Sequence, residues 1–408
     1  MNNLLYIAPQ DSLPYIDGGK IGIFFPIKEF VKKYNVFYTF PIQKIKEDTI
    51  SKYKEFSVTV IPYQMDLKDN YINYPKTLFS DLSFKFSKFY DKNFLNKLSE
   101  LVKEKNIDTV WVCHAQMAKY AIELKKQYPY LKTYLREHNI EYKLVKQYAI
   151  SETNILIKLI AYFEYLKTKN YEIRLWKKFD KVFFISDTDI KTARKYNKNI
   201  DASYLIYDGM EIPENDENIP VEENSFIFTG SLKSFQNENN LRYFIKNIWI
   251  PFSQKAPEAK LYITGNKEEL LLSKIKMTKQ ELEQNNIINL GFVDDIKRTI
   301  LSKQFVVSPT QYGSGIRLKV LEALSLKKVV FVSDIDYEMA QCFKDMENIV
   351  HYTDENDFYQ KYKTIYNKDL YKMIAKNGYG LIYKNFNWDL YTKNVNLNSK
   401  QEENATNL

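Results

Sequence analysis

Cysteine is scarce: Cys113 and Cys342 are the only two in 408 residues. Two isolated thiols exclude a disulfide framework and a zinc cluster, and they agree with a reducing compartment. Long apolar runs are also missing. None approaches the roughly 20 residues that a membrane-spanning helix needs. The opening MNNLLYIAPQ lacks the basic start and cleavage pattern of a secretory signal, so the expected location is the cytoplasm. No zinc-finger spacing and no RNP-like aromatic motif occurs, which argues against a nucleic-acid partner. What the chain does have is 45% hydrophobic residues, enough for two or three globular domains with real cores.

Charge divides the chain. Residues 1–200 carry 34 Lys and Arg against 22 Asp and Glu, a balance of +12, while residues 201–408 carry 25 against 29, a balance of −4. The basic half suits an anionic partner, and with nucleic acid disfavoured the expectation is contact with the inner face of a membrane.

Short β-rich runs at 4–8, 36–40, 57–61, 109–113, 132–135 and 182–185 alternate with helical patterns such as 91–105 and 118–128. That alternation predicts a parallel sheet in an α/β domain. A second series follows at 226–229, 260–264, 287–290, 305–308 and 329–333, with a junction expected in YDGMEIPENDEN at 207–218, after a strand-like 202–206. Ligands of open parallel sheets bind beyond the carboxyl ends of the strands, so two such domains share one site across a cleft. A single long helix is predicted over 150–178, where Tyr162, Phe163, Tyr165, Tyr171 and Trp176 lie among Lys158, Lys167, Lys169, Arg174, Lys177 and Lys178. Two readings stay open for it. Either it lies on anionic lipid, or it packs its aromatic face on its own domain, with Glu164 and Glu172 interrupting the basic surface. Pro26 falls inside the first predicted helix, where a kink is expected, and the polar tail 401–408 is expected to be disordered.

The most informative stretch is FVVSPTQYGSGIRLKVLEALSLKKVVFVS, residues 305–333. Two apolar runs flank Ile316, Val320, Leu321 and Leu324 at near-helical spacing, so the unit reads strand, loop, helix, strand. Gly313 and Gly315 permit positive φ and a close backbone approach to a ligand, and the first helical turn adds unpaired N–H groups. Arg317 and Lys319 stand at the wrong end of that helix. A cation there opposes the macrodipole at a cost of roughly 0.3–1 kcal/mol, which a bound phosphate reverses. The pair is read as diphosphate ligands, with a solvated surface helix as the alternative.

Seven segments, in order, carry a resemblance: YIAPQDSLPYIDGGK, YLREHNIEY, FIFTGSLKSFQNENNLRYF, LYITGN, INLGFVDDI, YGSGIRLKVLEALSLKKVV and NFNWDLY. Together they span nearly the whole chain, which resembles retaining, nucleotide-sugar-dependent glycosyltransferases of the GT-B fold, glycosyltransferase family 4. The resemblance implies two Rossmann-like domains, an acceptor-side domain 1–207 and a donor-binding domain 208–385, with a crossover helix at about 386–400 returning to the first. In such enzymes a Glu-x7-Glu motif occupies the strand–loop–helix unit. Glu322 matches its second Glu, which holds the donor ribose hydroxyls, whereas Ser314 replaces the first. The usual Arg and Lys after the first strand of the donor domain are Ser231 and Asn237 here, so that after Gly230 only Lys233 is a nearby cation. Arg317 and Lys319 are expected to supply the rest.

By the same resemblance Gly18 and Gly19 approach the diphosphate, Gly265 lies on a neighbouring loop, and Phe292 with Val293 holds the base. Gly313, Ser314, Gly315 and Ile316 then surround the donor sugar and its phosphates, and His138 lies beside the reacting carbon. The implied activity is glycosyl transfer from a UDP- or GDP-linked sugar to a glycan or a lipid-linked oligosaccharide in bacterial surface polysaccharide or glycoconjugate synthesis. No metal or other cofactor is required, and the Asp187/Asp189 and Asp334/Asp336 pairs read as structural. The rivals are a catalytically silent GT-B partner subunit, suggested by Ser231, Asn237 and Ser314, and a nucleotide-sugar 2-epimerase, for which the first domain offers only His114 and His138.

Overall fold

The computed structural model describes residues 1–15, 18–46, 48–67, 82–196, 203–211, 219–313, 315–366, 368–391 and 395. Seven parallel strands build the first sheet: β1 (Asn2–Ile7), β2 (Tyr34–Ile42), β3 (Thr59–Gln64), β4 (Thr109–Cys113), β5 (Lys132–Glu137), β6 (Lys181–Phe184) and β7 (Ser203–Leu205), in the order β3-β2-β1-β4-β5-β6-β7. Six more build the second: β8 (Glu222–Phe228), β9 (Lys260–Thr264), β10 (Ile287–Gly291), β11 (Lys303–Ser308), β12 (Val329–Val332) and β13 (Val350–His351), in the order β10-β9-β8-β11-β12-β13. The central strands are covered on both faces, which is why β4 reads TVWVC with no polar alternation and all five residues buried. In each sheet the strand order reverses at the first strand of the domain, between β1 and β4 and between β8 and β11. Those are the switch points where a ligand crevice opens.

The chain returns to the first domain after the helix Lys368–Asn385. Trp388 stacks on Phe25 with ring centroids 5.2 Å apart, and Tyr391 meets Phe30 at 6.0 Å, so both belong to the first core. In its described part the expected crossover is a short 3-10 turn, Trp388–Leu390; residues 392–394 and 396–408, including the tail, lie outside the described residues.

Two expectations are corrected. The long helix over 150–178 is a hairpin of two helices, Glu141–Ser151 and Ile155–Trp176. The break arises because Asn154 caps the second helix, its Oδ1 accepting from the N–H groups of Leu156 at 3.0 Å and Ile157 at 3.2 Å. Glu164 and Glu172 do not interrupt the basic surface either, because both turn inward: Glu164 accepts from the Phe84 N–H at 2.9 Å, and Glu172 from the N–H groups of Glu141 at 2.8 Å and Tyr142 at 2.9 Å.

Pro26 lies inside the continuous helix Gly18–Phe30. Lacking an N–H, it leaves the Gly22 carbonyl without its helical donor. The buried Arg136 fills that role, donating from Nη1 to Gly22 O at 2.8 Å, and its Nη2 pairs with Asp208 at the start of the interdomain connection.

Candidate active site

The helix Leu318–Ser325 buries Val320, Leu321, Ala323 and Leu324 against the second sheet, which fixes the direction in which its first turn points. Arg317 is the N-cap residue and offers the helix no side-chain cap; its carbonyl takes the Val320 N–H at 2.9 Å, which leaves the N–H groups of Leu318 and Lys319 without a helical acceptor. Lys319 reaches back to the end of β8, donating to Thr229 O at 2.6 Å with its ammonium 4.4 Å from the Phe228 ring centroid. Gly230 lies directly beneath: a Cβ there would come within 3.2 Å of Lys319 Nζ. Arg317 folds over Gly313, where a Cβ would fall 1.3 Å from Nη2, and it donates to Tyr312 O at 3.3 Å. Gly313 and Gly315 hold φ of 146° and 73°, conformations that other residues rarely adopt.

Two cations lie close together here. Burial pushes the Lys319 ammonium down to about 8, and the neighbouring Arg317 pushes the same way, against smaller opposing effects of Asp336 and Glu322. Burial also lowers Arg317, and it raises the carboxyl of Asp336, the only acid in ion-pair range of Arg317 among the described residues. Arg317 Nε and Asp336 Oδ1 are both buried without a hydrogen bond, 3.6 Å apart. Two desolvated cations thus lie side by side, with Asp336 the one carboxylate in ion-pair range of Arg317 among the described residues and with Asp189 and Glu322 acting from beyond it, an arrangement that suits an anion. One turn further along, burial raises Glu322, with Lys297 and Lys319 opposing it, and among the described residues no donor hydrogen-bonds its carboxylate.

Around this centre Gly265 packs against Gly230, a Cβ at 265 meeting the Gly230 carbonyl at 3.2 Å. Asn266 ties the two loops, accepting from Leu232 N–H at 2.7 Å and donating to Gly230 O at 3.0 Å. Asn237 donates to Ser231 O at 3.0 Å. Lys233 is exposed on the same loop, and Phe292 and Val293 follow β10, with the Phe292 ring 73% exposed. Ile316 is buried under the helix start. Gly18 touches Leu318 from the first domain, a Cβ there lying 3.4 Å from Leu318 Cδ1, and Gly19 is the next residue of the same helix start. Ser314 lies outside the described residues.

The first domain holds the glycine loop in place. Gln147 accepts from Gly313 N–H at 2.9 Å and donates to Gly313 O at 3.3 Å, and Asp189 accepts from Gly315 N–H at 3.2 Å. Glycine is required at 315 by contact as well as by φ, since a Cβ would come within 2.5 Å of the His138 carbonyl. Asp187 bridges the domains a second time: its N–H donates to Met339 O and its carboxylate accepts from Gln341 N–H, both at 2.9 Å. The Asp pairs read as structural thus include three loop anchors, Asp187, Asp189 and Asp336. Gln147 and Asn266 escaped the sequence reading, which singled out Asp189 and Asp336 by the Asp-x-Asp spacing after a strand but gave neither a contact with the glycine loop or Arg317.

His138 presents its carbonyl to the loop and its ring to the interior. The ring stacks on His114 with centroids 3.7 Å apart, and Nε2 lies 2.9 Å from Cys113 Sγ and in contact with Arg136 Nη1. Burial first, then Arg136, lowers both histidines, His114 to about 3, so both rings are neutral at pH 7. Cys113, His114 and His138 bring potential ligand atoms within 4.8 Å of one another. The permanently charged Arg136 guanidinium, also 3.8 Å from Cys113 Sγ, opposes a divalent cation at that point, so the set does not fit a metal.

Residues 223–368 match the family model described as Glycosyl transferases group 1. No curated protein matches the chain by sequence. Among solved structures the chain superimposes on Anabaena HepE in complex with UDP, at 12% identity and TM-score 0.65, over 96% of this chain and 97% of that one. It also matches a glycosyltransferase from Rickettsia africae at 14% identity and TM-score 0.65, over 96% of each chain. Sucrose-phosphate synthase from Thermosynechococcus elongatus matches at 12% identity and TM-score 0.69, over 96% and 97%. At such identities the likeness establishes the fold, which is GT-B across nearly the whole chain.

Proposed function

We propose that this protein is a retaining glycosyltransferase that moves a sugar from a nucleoside diphosphate sugar to a hydroxyl of a glycan or a lipid-linked oligosaccharide. The observation that carries the reading is the convergence of Lys319, Arg317 and the Gly313–Gly315 backbone on one helix start that the first domain closes over. The family match over residues 223–368 and the UDP in the Anabaena structure support the same donor class.

In this reading the diphosphate lies against the first turn of Leu318–Ser325. The bond from the anomeric carbon to the phosphate oxygen breaks as negative charge grows on that oxygen, and Arg317, Lys319 and loop N–H groups stabilise it. The acceptor oxygen bonds the anomeric carbon on the same face, and the departing phosphate takes the acceptor proton. Glu322 accepts hydrogen bonds from the ribose hydroxyls, Phe292 and Val293 contact the base, and the His138 carbonyl lies near the sugar. The cations carry the leaving-group charge, so no metal is required. The acceptor belongs to bacterial surface polysaccharide or glycoconjugate synthesis, met at the inner face of the membrane by the basic first domain.

A silent partner subunit is the second reading, favoured by Asn237, whose amide binds Ser231 O instead of the cleft, and by the exposure of Lys233. A thermal-shift panel with UDP, GDP and their common sugars tests donor binding, and release of nucleoside diphosphate from the sugar that binds separates enzyme from silent subunit. The expected outcome is a raised midpoint and slow release. A flat panel would remove the donor assignment.

A further inference from the structure

Exposed large apolar side chains are not scattered evenly. Of 23 in the described residues, ten fall between Tyr148 and Leu166, on the hairpin of Glu141–Ser151 and Ile155–Trp176. From Ile155 to Ile160 every residue is exposed, Ile155 at 72%, Leu156 at 68% and Leu159 at 64%, so the start of this helix is bare around its whole circumference. Patches of this kind on a monomer mark an interaction site. At 1.5 Å per residue the bare segment is about 9 Å long, comparable to the roughly 5–10 Å to which an interfacial helix enters a bilayer. It is too short to cross one, and no helix among the described residues is long and apolar enough to do so.

The charge along the hairpin is one-sided. Lys146 and Lys158 lie nearest the tip, Lys167, Lys169, Arg174, Lys177 and Lys178 follow along the second helix, and Lys143 pairs with Asp189, whereas of the four acids Glu152 stays at the turn and three are drawn inward: Glu141 pairs with Lys85, and Glu164 and Glu172 accept backbone N–H groups. A bare apolar tip on a cationic hairpin complements anionic headgroups over hydrocarbon. A self-complementary dimer patch would set those cations against each other. The half of the first hairpin helix next to the turn reaches the cleft, for Gln147 holds Gly313 and Tyr148 packs on Phe235 at 5.8 Å.

We propose that the hairpin is a lipid-insertion element: Ile155, Leu156, Leu159 and Ile160 enter the acyl boundary of an anionic bilayer, and the surrounding lysines meet its headgroups. The element brings the cleft to the membrane surface, which, resting on the glycosyl-transfer reading, makes the acceptor a lipid-anchored one. It differs from purely electrostatic attachment by a basic domain, because the apolar contribution survives salt.

The test is flotation of the full chain with vesicles of phosphatidylcholine containing about one-third phosphatidylglycerol, at low and high salt. The wild type is expected to float and to remain partly bound at high salt. The triple variant Leu156→Ser, Leu159→Ser, Ile160→Ser, altered only at exposed positions, should partition at least about tenfold more weakly. The Leu156→Trp variant should show an emission shifted to the blue on vesicles. Absence of flotation would overturn the proposal, as would a triple variant that floats like the wild type. A dimer that the same variant dissolves, without vesicle binding, overturns it in favour of a second copy as the occupant. UDP and GDP midpoint shifts measured on the same samples separate the two readings. Intact shifts without flotation defeat insertion alone, and flotation without shifts supports insertion while defeating the donor site.

Discussion

In the second domain Arg317 and Lys319 stand partly desolvated with Asp336 as the nearest counter-charge, whereas in the first domain the buried acids Glu137, Glu141 and Glu172 are each tied to a donor. Trp176 Nε1 donates to Glu137 at 2.8 Å, Gln116 to Glu141 at 3.1 Å, and Glu172 accepts the first N–H groups of the helix Glu141–Ser151. One wall therefore holds charge that a ligand would complete, and the other uses buried carboxyl groups as hydrogen-bond acceptors to fix a hairpin and a loop. On the proposed function, the difference gives the chemistry to the second domain and the framing of the cleft to the first.

Breaking the cationic wall should have the largest effect. Lys319→Ala or Glu322→Ala should each lower donor turnover about a hundredfold if each supplies roughly 2–3 kcal/mol of charged hydrogen bonding, measured as initial rates of nucleoside diphosphate release. Unchanged rates in both would place the chemistry elsewhere. Next comes Gly313→Ala, whose Cβ would occupy the position of the Arg317 guanidinium. It should weaken nucleoside diphosphate binding by about tenfold or more by displacing Arg317 and straining the loop that Gln147 holds, and a titration that matches the wild type would show that Arg317 is not needed where it lies.

The third effect is one of pH. Lys319 titrates near 8 in the free protein, and a diphosphate beside it favours the charged form and raises that value. Binding then takes up a proton above pH 8, so affinity should fall by up to about tenfold per pH unit from there, and Lys319→Arg should flatten the slope. A flat profile in the wild type would mean that the ammonium does not meet the phosphates. The smallest effect belongs to the framing wall. Burial holds Glu137 up at about 8, so the folded state keeps a proton that the unfolded chain releases near 4.5, and stability is lost as pH rises between those values. Glu137→Gln keeps an oxygen for Trp176 and does not titrate. It should raise the melting midpoint by about 2–4 °C near pH 8 and by little near pH 4; a deficit at both pH values would contradict the sign.

Much of the frame was readable from local pattern. β4 and β9 coincide with apolar runs at 109–113 and 260–264, and Gly313, Gly315 and the helix start were visible because strand and helix periods meet there. β13 was not, since two residues carry no period. The hairpin break was missed although residues 151–154 are polar, because the cap that stops the helix there is supplied by a single side chain. Site contacts between distant residues left no trace. Asp189 meets Gly315 across 126 positions, Gln147 meets Gly313 across 166, and Arg136 reaches the carbonyl freed by Pro26 across 114. Each depends on where the sheets bring their strand ends, which spacing along the chain does not encode.

The most direct test of the central claim is calorimetric titration of UDP against uridine, and of GDP against guanosine, into the wild type and Lys319→Ala. The account predicts that the matching diphosphate binds the wild type far more tightly than its nucleoside, and that the variant loses most of that preference. Equal affinity for nucleoside and nucleoside diphosphate in the wild type would contradict it.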